Sequence, residues 1–227
     1  MTDAHCHTRG KGSRHFICDP SDCVCADGDV RFYGLHPWNF TAPNAAPPLP
    51  GDIEALEAKL LADPRTGVGE IGLDRLKTRD ITHAMRSAFS MQLDLAARLH
   101  RPVVVHGAKC WGETVAECRK RAGAIPSFLF HGFSRSWGLL NEIESIGGFI
   151  SAGPAVLNLH AENYRKALAS VPEKMLLAET DATEENSGAV PSVEEIAAEL
   201  AKIRKTPLEE LAAALESNAG RFAASLL

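Results

Sequence analysis

Histidines and carboxylates of a metal-ligating type fall at recurring places in this sequence. His5 and His7 stand two residues apart, so on a strand both point to one face and can hold one ion together. Glu70 follows Gly67-Val68-Gly69, His106 follows Val103-Val104-Val105, His131 follows Phe128-Leu129-Phe130, and Asp181 follows Leu176-Leu177-Ala178-Glu179-Thr180. A lone histidine after an apolar run serves more often as a hydrogen-bonded structural group. Five strand ends that each carry a ligand-type residue argue for one shared metal site. Four imidazoles, one Glu and one Asp are the inventory for two divalent ions. Imidazole suits zinc, nickel or iron, and carboxylates also admit manganese or magnesium. Two ions about 3.5–4 Å apart acidify a water and clamp a phosphoryl or carbonyl oxygen. Asp181 is the choice for the base that takes the water's proton, because the last strand's carboxylate can ligate an ion and still face the nucleophile. His15, His83, His100 and His160 fall on other segments and read as structural or surface residues.

Elements that could gather these residues follow from the apolar pattern. Candidate strands are Thr2–His7, Arg14–Cys18, Val30–Leu35, Gly67–Gly72, Pro102–His106, Ser127–His131, Gly148–Ala152 and Met175–Glu179. Such short continuous apolar runs suit parallel strands buried on both faces. Helical patterns lie between them at Asp52–Ala62, Asp80–Leu99, Trp111–Arg121, Arg135–Ile146, Glu162–Ala169 and Ser192–Arg204. A last helix is expected with Thr206 as N-cap and Pro207 at its first position, running to about Ser217. Alternating strands and helices, with eight strands, indicate an α/β chain closing into a (β/α)8 barrel of the TIM type. The C-terminal strand ends then converge on one mouth, where active sites of such barrels sit.

The whole chain, residues 1–227, reads as one domain. It is short for such a barrel, which typically takes about 250 residues. The shortfall falls in the first βα units: the stretch after His7 holds Gly10, Gly12, Asp19, Pro20, Asp22, Asp27 and Gly28 and no helical period. A missing outer helix is expected there, with 10–29 forming the rim of an open mouth beside His7. The net charge of −5 gives no whole-molecule attraction to nucleic acid or anionic membrane, so any polyanion must be held locally. No apolar run is long enough to span a bilayer, and the opening residues lack the pattern of a secretion signal. A cytoplasmic location is the expectation. Cys18, Cys23 and Cys25 have a C-x4-C-x-C spacing that does not match the usual zinc ribbons, and read as reduced thiols of a loop.

Seven segments occur in order: Asp3-Ala4-His5-Cys6-His7, Gly34-Leu35-His36-Pro37, Gly69-Glu70-Ile71-Gly72-Leu73-Asp74, Pro102-Val103-Val104-Val105-His106, His131-Gly132-Phe133-Ser134, Glu179-Thr180-Asp181 and Asn218-Ala219-Gly220-Arg221-Phe222. Together they resemble the TatD-type metal-dependent hydrolases and deoxyribonucleases, within the amidohydrolase-like barrels, over nearly the whole chain. The resemblance implies a dinuclear site in which His5, His7 and Asp181 serve one ion, His106 and His131 the other, and Glu70 bridges. It also implies cleavage of DNA phosphodiesters, often from 3′ to 5′ with magnesium or manganese. His36 would face the substrate phosphate or the leaving group, and Asp74 would orient the substrate or a ligand.

Two departures bear on substrate. Where the family commonly has His-x-Arg after the fifth strand, this chain has His106-Gly107-Ala108-Lys109. Lys109 can supply a point charge but not a planar two-pronged contact to phosphate, and Arg135 could compensate. Glu179-Thr180-Asp181 continues with Ala182 where proline is usual. Trp38 and Trp111, in expected strand-to-helix loops, could stack on a base, whereas Trp137 on a helix suits packing. The leading expectation is a metal-dependent phosphodiesterase acting on single-stranded DNA. The acidic charge and the lost arginine point to the alternative, a hydrolase of a small ester, lactone or amide. A non-catalytic binding protein on the same fold is the third reading, motivated by the truncated start. No obligate protein partner is expected.

Overall fold

The computed structural model describes residues 1–19, 25–134 and 137–226. Eight parallel strands lie side by side in chain order: β1 Thr2–Cys6, β2 Arg14–Cys18, β3 Val30–Tyr33, β4 Gly67–Asp74, β5 Val103–Ala108, β6 Phe128–Phe130, β7 Gly148–Ala152 and β8 Leu176–Ala178. The sheet curls back on itself, and backbone bonds just past β8 complete the circle. His5 O accepts from Asp181 N at 3.0 Å, and His7 N donates to Ala182 O at 2.7 Å. This is the expected (β/α)8 barrel. Helices α1 Pro50–Ala62, α2 His83–Leu99, α3 Trp111–Arg119, α4 Leu140–Ser145, α5 Glu162–Ser170, α6 Val193–Arg204 and α7 Leu208–Phe222 surround it.

The period-2 alternation of strands sorts the core into two layers. Val103 and Val105 of β5, and Phe128 and Phe130 of β6, pack under the helices with Phe89 and Trp111. Val104, Leu129, Phe149 and Leu177 face inward with Phe16 and Phe32. His106 and His131 continue the inner rows of Val104 and Leu129, so a barrel pattern delivers them to the lumen. The lower end is stoppered by α7: the Phe222 ring lies 5.7 Å from Phe16, 5.8 Å from Phe32 and 6.0 Å from Phe149. Gly72 lets β4 lie flush on β5, since a Cβ there would sit 2.0 Å from the His106 carbonyl oxygen.

Several sequence expectations are corrected. β4 and β5 run on to Asp74 and Ala108, so Glu70 and His106 lie within strands rather than at their ends. Among the described residues, neither the β1–β2 nor the β2–β3 connection holds a helix, so two helical positions are lost where one was expected. Their place over β1 and β2 is taken by Cys25 and Val190, which pack on Cys6, Ile17 and Ala182. Cys18 ends β2, as the strand expected over Arg14–Cys18 has it, and so does not share a loop with Cys25. The segment expected as a helix over 135–146 is a 3-10 turn at Trp137–Leu139 followed by α4. Thr206 is not an N-cap: its N–H closes the preceding helix on Ala201 O, and α7 starts after Pro207. That helix reaches Phe222 because Leu211, Leu215, Asn218, Ala219 and Phe222 prolong its buried stripe.

Candidate metal centre

At the C-terminal mouth of the barrel, the expected ligand-type residues converge on one carboxylate. Glu70 is buried, and its two oxygens face different partners. Oε2 lies 3.4 Å from His5 Nε2 and 3.2 Å from His7 Nε2. Oε1 lies 2.5 Å from His106 Nδ1, 2.6 Å from His131 Nε2 and 3.4 Å from His36 Nε2. Asp181 Oδ1 completes the first group at 3.4 Å from His5 Nε2 and 3.8 Å from His7 Nε2. Ligating atoms of His5, His7 and Asp181, of His5, Glu70 and His131, and of His36, Glu70 and His106 each fall within 4.8 Å of one another. His5 Nε2 is buried without a hydrogen-bond partner although two carboxylate oxygens stand near it. A nitrogen aimed between oxygens, in a set of imidazoles and carboxylates, fits a divalent ion.

The charges in the cluster support one another. Burial works against ionised Glu70, but the His131 and His5 imidazoles and the His106 bond hold its carboxyl well below the usual range. Burial likewise opposes charge on His131, yet Glu70 lifts its pKa to about 9. For His106, bonds to Asp74 and Glu70 outweigh burial and raise it. For His5, the Cys18 sulfur and the Glu70 and Asp181 carboxylates outweigh burial in the same direction. Partial desolvation opposes charge on Asp181 too, but the His5 imidazole 3.4 Å away keeps the carboxyl low. Metal binding to such a cluster must displace protons from imidazole.

A surrounding set of buried polar groups was not foreseen in the sequence as part of the site. Cys18 Sγ lies 3.5 Å from His5 Nδ1, and burial pushes its thiol up to about 12. Glu179 is buried, accepts from Gly132 N at 2.8 Å and from Ser151 Oγ, and lies 3.7 Å from His131 Nδ1. Asp3 accepts from Thr180 N at 3.0 Å and Thr180 Oγ1 at 2.6 Å, and burial lifts its carboxyl to about 7. Asp19, unlike these, is exposed at the rim; it accepts from the Gly34 backbone, and partial desolvation lifts it to about 6. Gln92 on α2 accepts from Leu35 N at 2.6 Å and donates to Leu35 O at 3.2 Å, pinning the loop that carries His36. Gln92 carried a readable signal, as a lone polar residue on the apolar stripe of Met85, Ala88, Phe89, Leu93 and Ala96.

Residues expected to touch substrate divide. His36 N-caps its turn through Nδ1, accepting from Trp38 N at 3.2 Å, while Nε2 points to Glu70. Asp74 is buried and takes His106 Nε2 at 3.1 Å and Trp38 Nε1 at 2.7 Å on the same oxygen, Oδ2. Lys109 is exposed and lines a cleft of about 790 Å³ with Arg75, His106 and His131. Arg135 and Cys23 lie outside the described residues. Trp111 is buried under β6 against Phe130 and Phe133, which removes it as a base-stacking surface. His15 is buried against Asp29, as a structural residue. No helix among the described residues is long and apolar enough to cross a membrane.

The family model described as TatD related DNase matches residues 28–223. The uncharacterized metal-dependent hydrolase YcfH of Escherichia coli K12 is 26% identical over 260 residues, covering 98% of this chain and 95% of YcfH. The 3′-5′ ssDNA/RNA exonuclease TatD of Edwardsiella piscicida is 29% identical over 162 residues, covering 71% of this chain and 58% of that protein. Among solved structures, the TatD homolog YjjV of Escherichia coli K12 superposes with a TM-score of 0.74 at 22% identity, over 92% of this chain and 85% of the other. The family match begins at residue 28, so His5 and His7 lie outside it.

Proposed function

Because the chain belongs to the TatD-related DNase family of metal-dependent hydrolases, we propose that it trims single-stranded DNA from the 3′ end, with two divalent ions. His5, His7 and Asp181 would hold one ion, His106 and His131 the other, and Glu70 both. The observation that carries this reading is the split Glu70 carboxylate, with Oε2 toward His5 and His7 and Oε1 toward His106 and His131. The 3′-5′ ssDNA/RNA exonuclease named among the relatives supports the substrate class.

When bound, two divalent ions supply an acidified water and offset charge on the phosphoryl oxygens. Asp181 stands at the outer edge of the cluster with 52% of its side chain exposed, so it can accept a proton from an entering nucleophile. His36 Nε2, facing the centre, is placed to contact a phosphate oxygen or the leaving group. Lys109 would hold a phosphate in its cleft as a point charge. In a divalent-supplemented assay on a single-stranded oligonucleotide, Asp181→Asn is expected to lower trimming by about 10²–10⁴-fold, the range for loss of a general base. Elemental analysis is expected to find metal still bound. Unchanged turnover would remove Asp181 from this role. The net charge of −5 and Lys109 in place of arginine favour a small ester, lactone or amide instead. Turnover of such substrates without any oligonucleotide cleavage would establish that reading.

A further inference from the structure

A second surface at the mouth points past the metal centre to how a strand is read. Trp38 sits in the 3-10 turn Pro37–Phe40, whose Pro37 and Phe40 are buried and whose Phe40 O accepts from Thr82 Oγ1 at 2.7 Å. The turn is therefore anchored, yet the Trp38 side chain is left 48% exposed. An indole has one polar hydrogen, and here Nε1 already donates it to Asp74 Oδ2 at 2.7 Å. What remains to a ligand is the flat face of the ring.

Its surroundings define that ligand. Asp74 Oδ2 is also the partner of His106 Nε2, so the ring and a centre imidazole share one oxygen, with ring centroids 6.3 Å apart. Lys77 Nζ sits over one face of the Trp38 ring, 4.0 Å from its centroid, so a ligand stacks on the opposite face or displaces the ammonium. Arg75 and Lys109 line the adjoining cleft that ends at His106 and His131. Glu113 pairs with Arg75 and also with Arg86, so one carboxylate is shared by two cations and the lip stays positive. A flat apolar face beside several cations, at the edge of a centre built for hydrolysis, matches a nucleobase followed by phosphates. We propose that Trp38 is the platform on which a base next to the scissile phosphate stacks, and that Lys77, Arg75 and Lys109 carry the backbone away over the β4–β5 side.

This inference rests on the reading of the chain as a nuclease acting on single strands, and the test separates the two. Trimming of an oligothymidylate is compared with trimming of the same strand carrying a tetrahydrofuran abasic residue at either of its last two positions. The wild type is expected to cut the intact strand about tenfold or more faster in kcat/KM at one of these positions, as loss of one stacked base requires. Trp38→Ala should bring that ratio to one, and Trp38→Phe should keep most of it. The ratio cancels any effect of either variant on the centre itself. Lys77→Ala should raise KM and flatten the salt dependence with kcat retained. If the wild type cuts both strands equally, or if Trp38→Ala keeps the preference, the platform is overturned while the nuclease reading stands. If the wild type with added metal neither binds nor cuts any oligonucleotide, both fall.

Discussion

Glu179 shows how a buried carboxylate can position a neighbouring imidazole through the backbone. It is 1% exposed, and its oxygens take Gly132 N and Ser151 Oγ while lying near the His131 ring. Through Gly132 it fixes the turn that follows β6, and so the position of His131. Glu179→Ala leaves the buried Ser151 hydroxyl without its acceptor and the Gly132 N–H with only Ser151 Oγ at 3.2 Å, which costs about 1–3 kcal/mol. A drop of several degrees in melting temperature is expected, with a larger loss of metal affinity than of stability, read by thermal unfolding and metal titration. The candidate ligands were legible from sequence because each is an imidazole or carboxylate on or just after an apolar strand. Glu179 and Cys18 were not, because their importance lies in partners on other strands. Glu179 stands two residues before Asp181 in the same segment, yet meets Gly132 and Ser151 from β6 and β7. Trp38 and Trp111 looked alike in sequence, and only packing separated a buried ring from an exposed one.

At the scale of elements, parallel strands buried on both faces leave continuous apolar runs, so the barrel was readable strand by strand. Where a strand carries its own polar residues the reading stopped short: β4 continues through Glu70 to Asp74 because β5 satisfies its backbone over the same length. Helices were readable where an apolar stripe was long, as in α2, and less so where capping was shared, as at Thr206. The link between α2 and the site is one side chain. Gln92 bonds both backbone groups of Leu35, one residue before His36. Gln92→Leu keeps the size and the helix but leaves those groups without their partner, at a cost of about 1–3 kcal/mol. Denaturant unfolding is expected to show that loss. Since His36 is released with Leu35, kcat should fall further than the modest loss of folded protein can explain. Equal activity per folded molecule would mean that the loop is held by other contacts.

For the whole molecule, a barrel with no helix among the described residues that follow its first two strands must hold its rim in another way. Asp29 does so from the start of β3. Its carboxylate accepts from Arg9 Nε at 2.8 Å, His15 N at 2.9 Å and Ala26 N at 2.8 Å, joining the β1–β2 and β2–β3 connections. The side chain has no exposed surface, and although burial opposes its charge, the bonds from Ala26, Arg9 and His15 hold its carboxyl below the usual value of 3.8. Because the folded pKa is depressed, the stability that Asp29 contributes is fully present above the unfolded value, near 3.9. It is lost as the pH falls through the lower folded value. Asp29→Asn removes the charge while keeping the shape, and its amide offers a donor where three donors converge. The variant should be less stable than the wild type at pH 7, by on the order of 1–3 kcal/mol. Urea unfolding of both proteins at pH 7, 5 and 3.5 should show a constant gap down to pH 5 and a narrower one at pH 3.5, since other carboxylates titrate alike in both. A gap that does not narrow in acid would mean that shape at Asp29, and not its charge, holds the rim together.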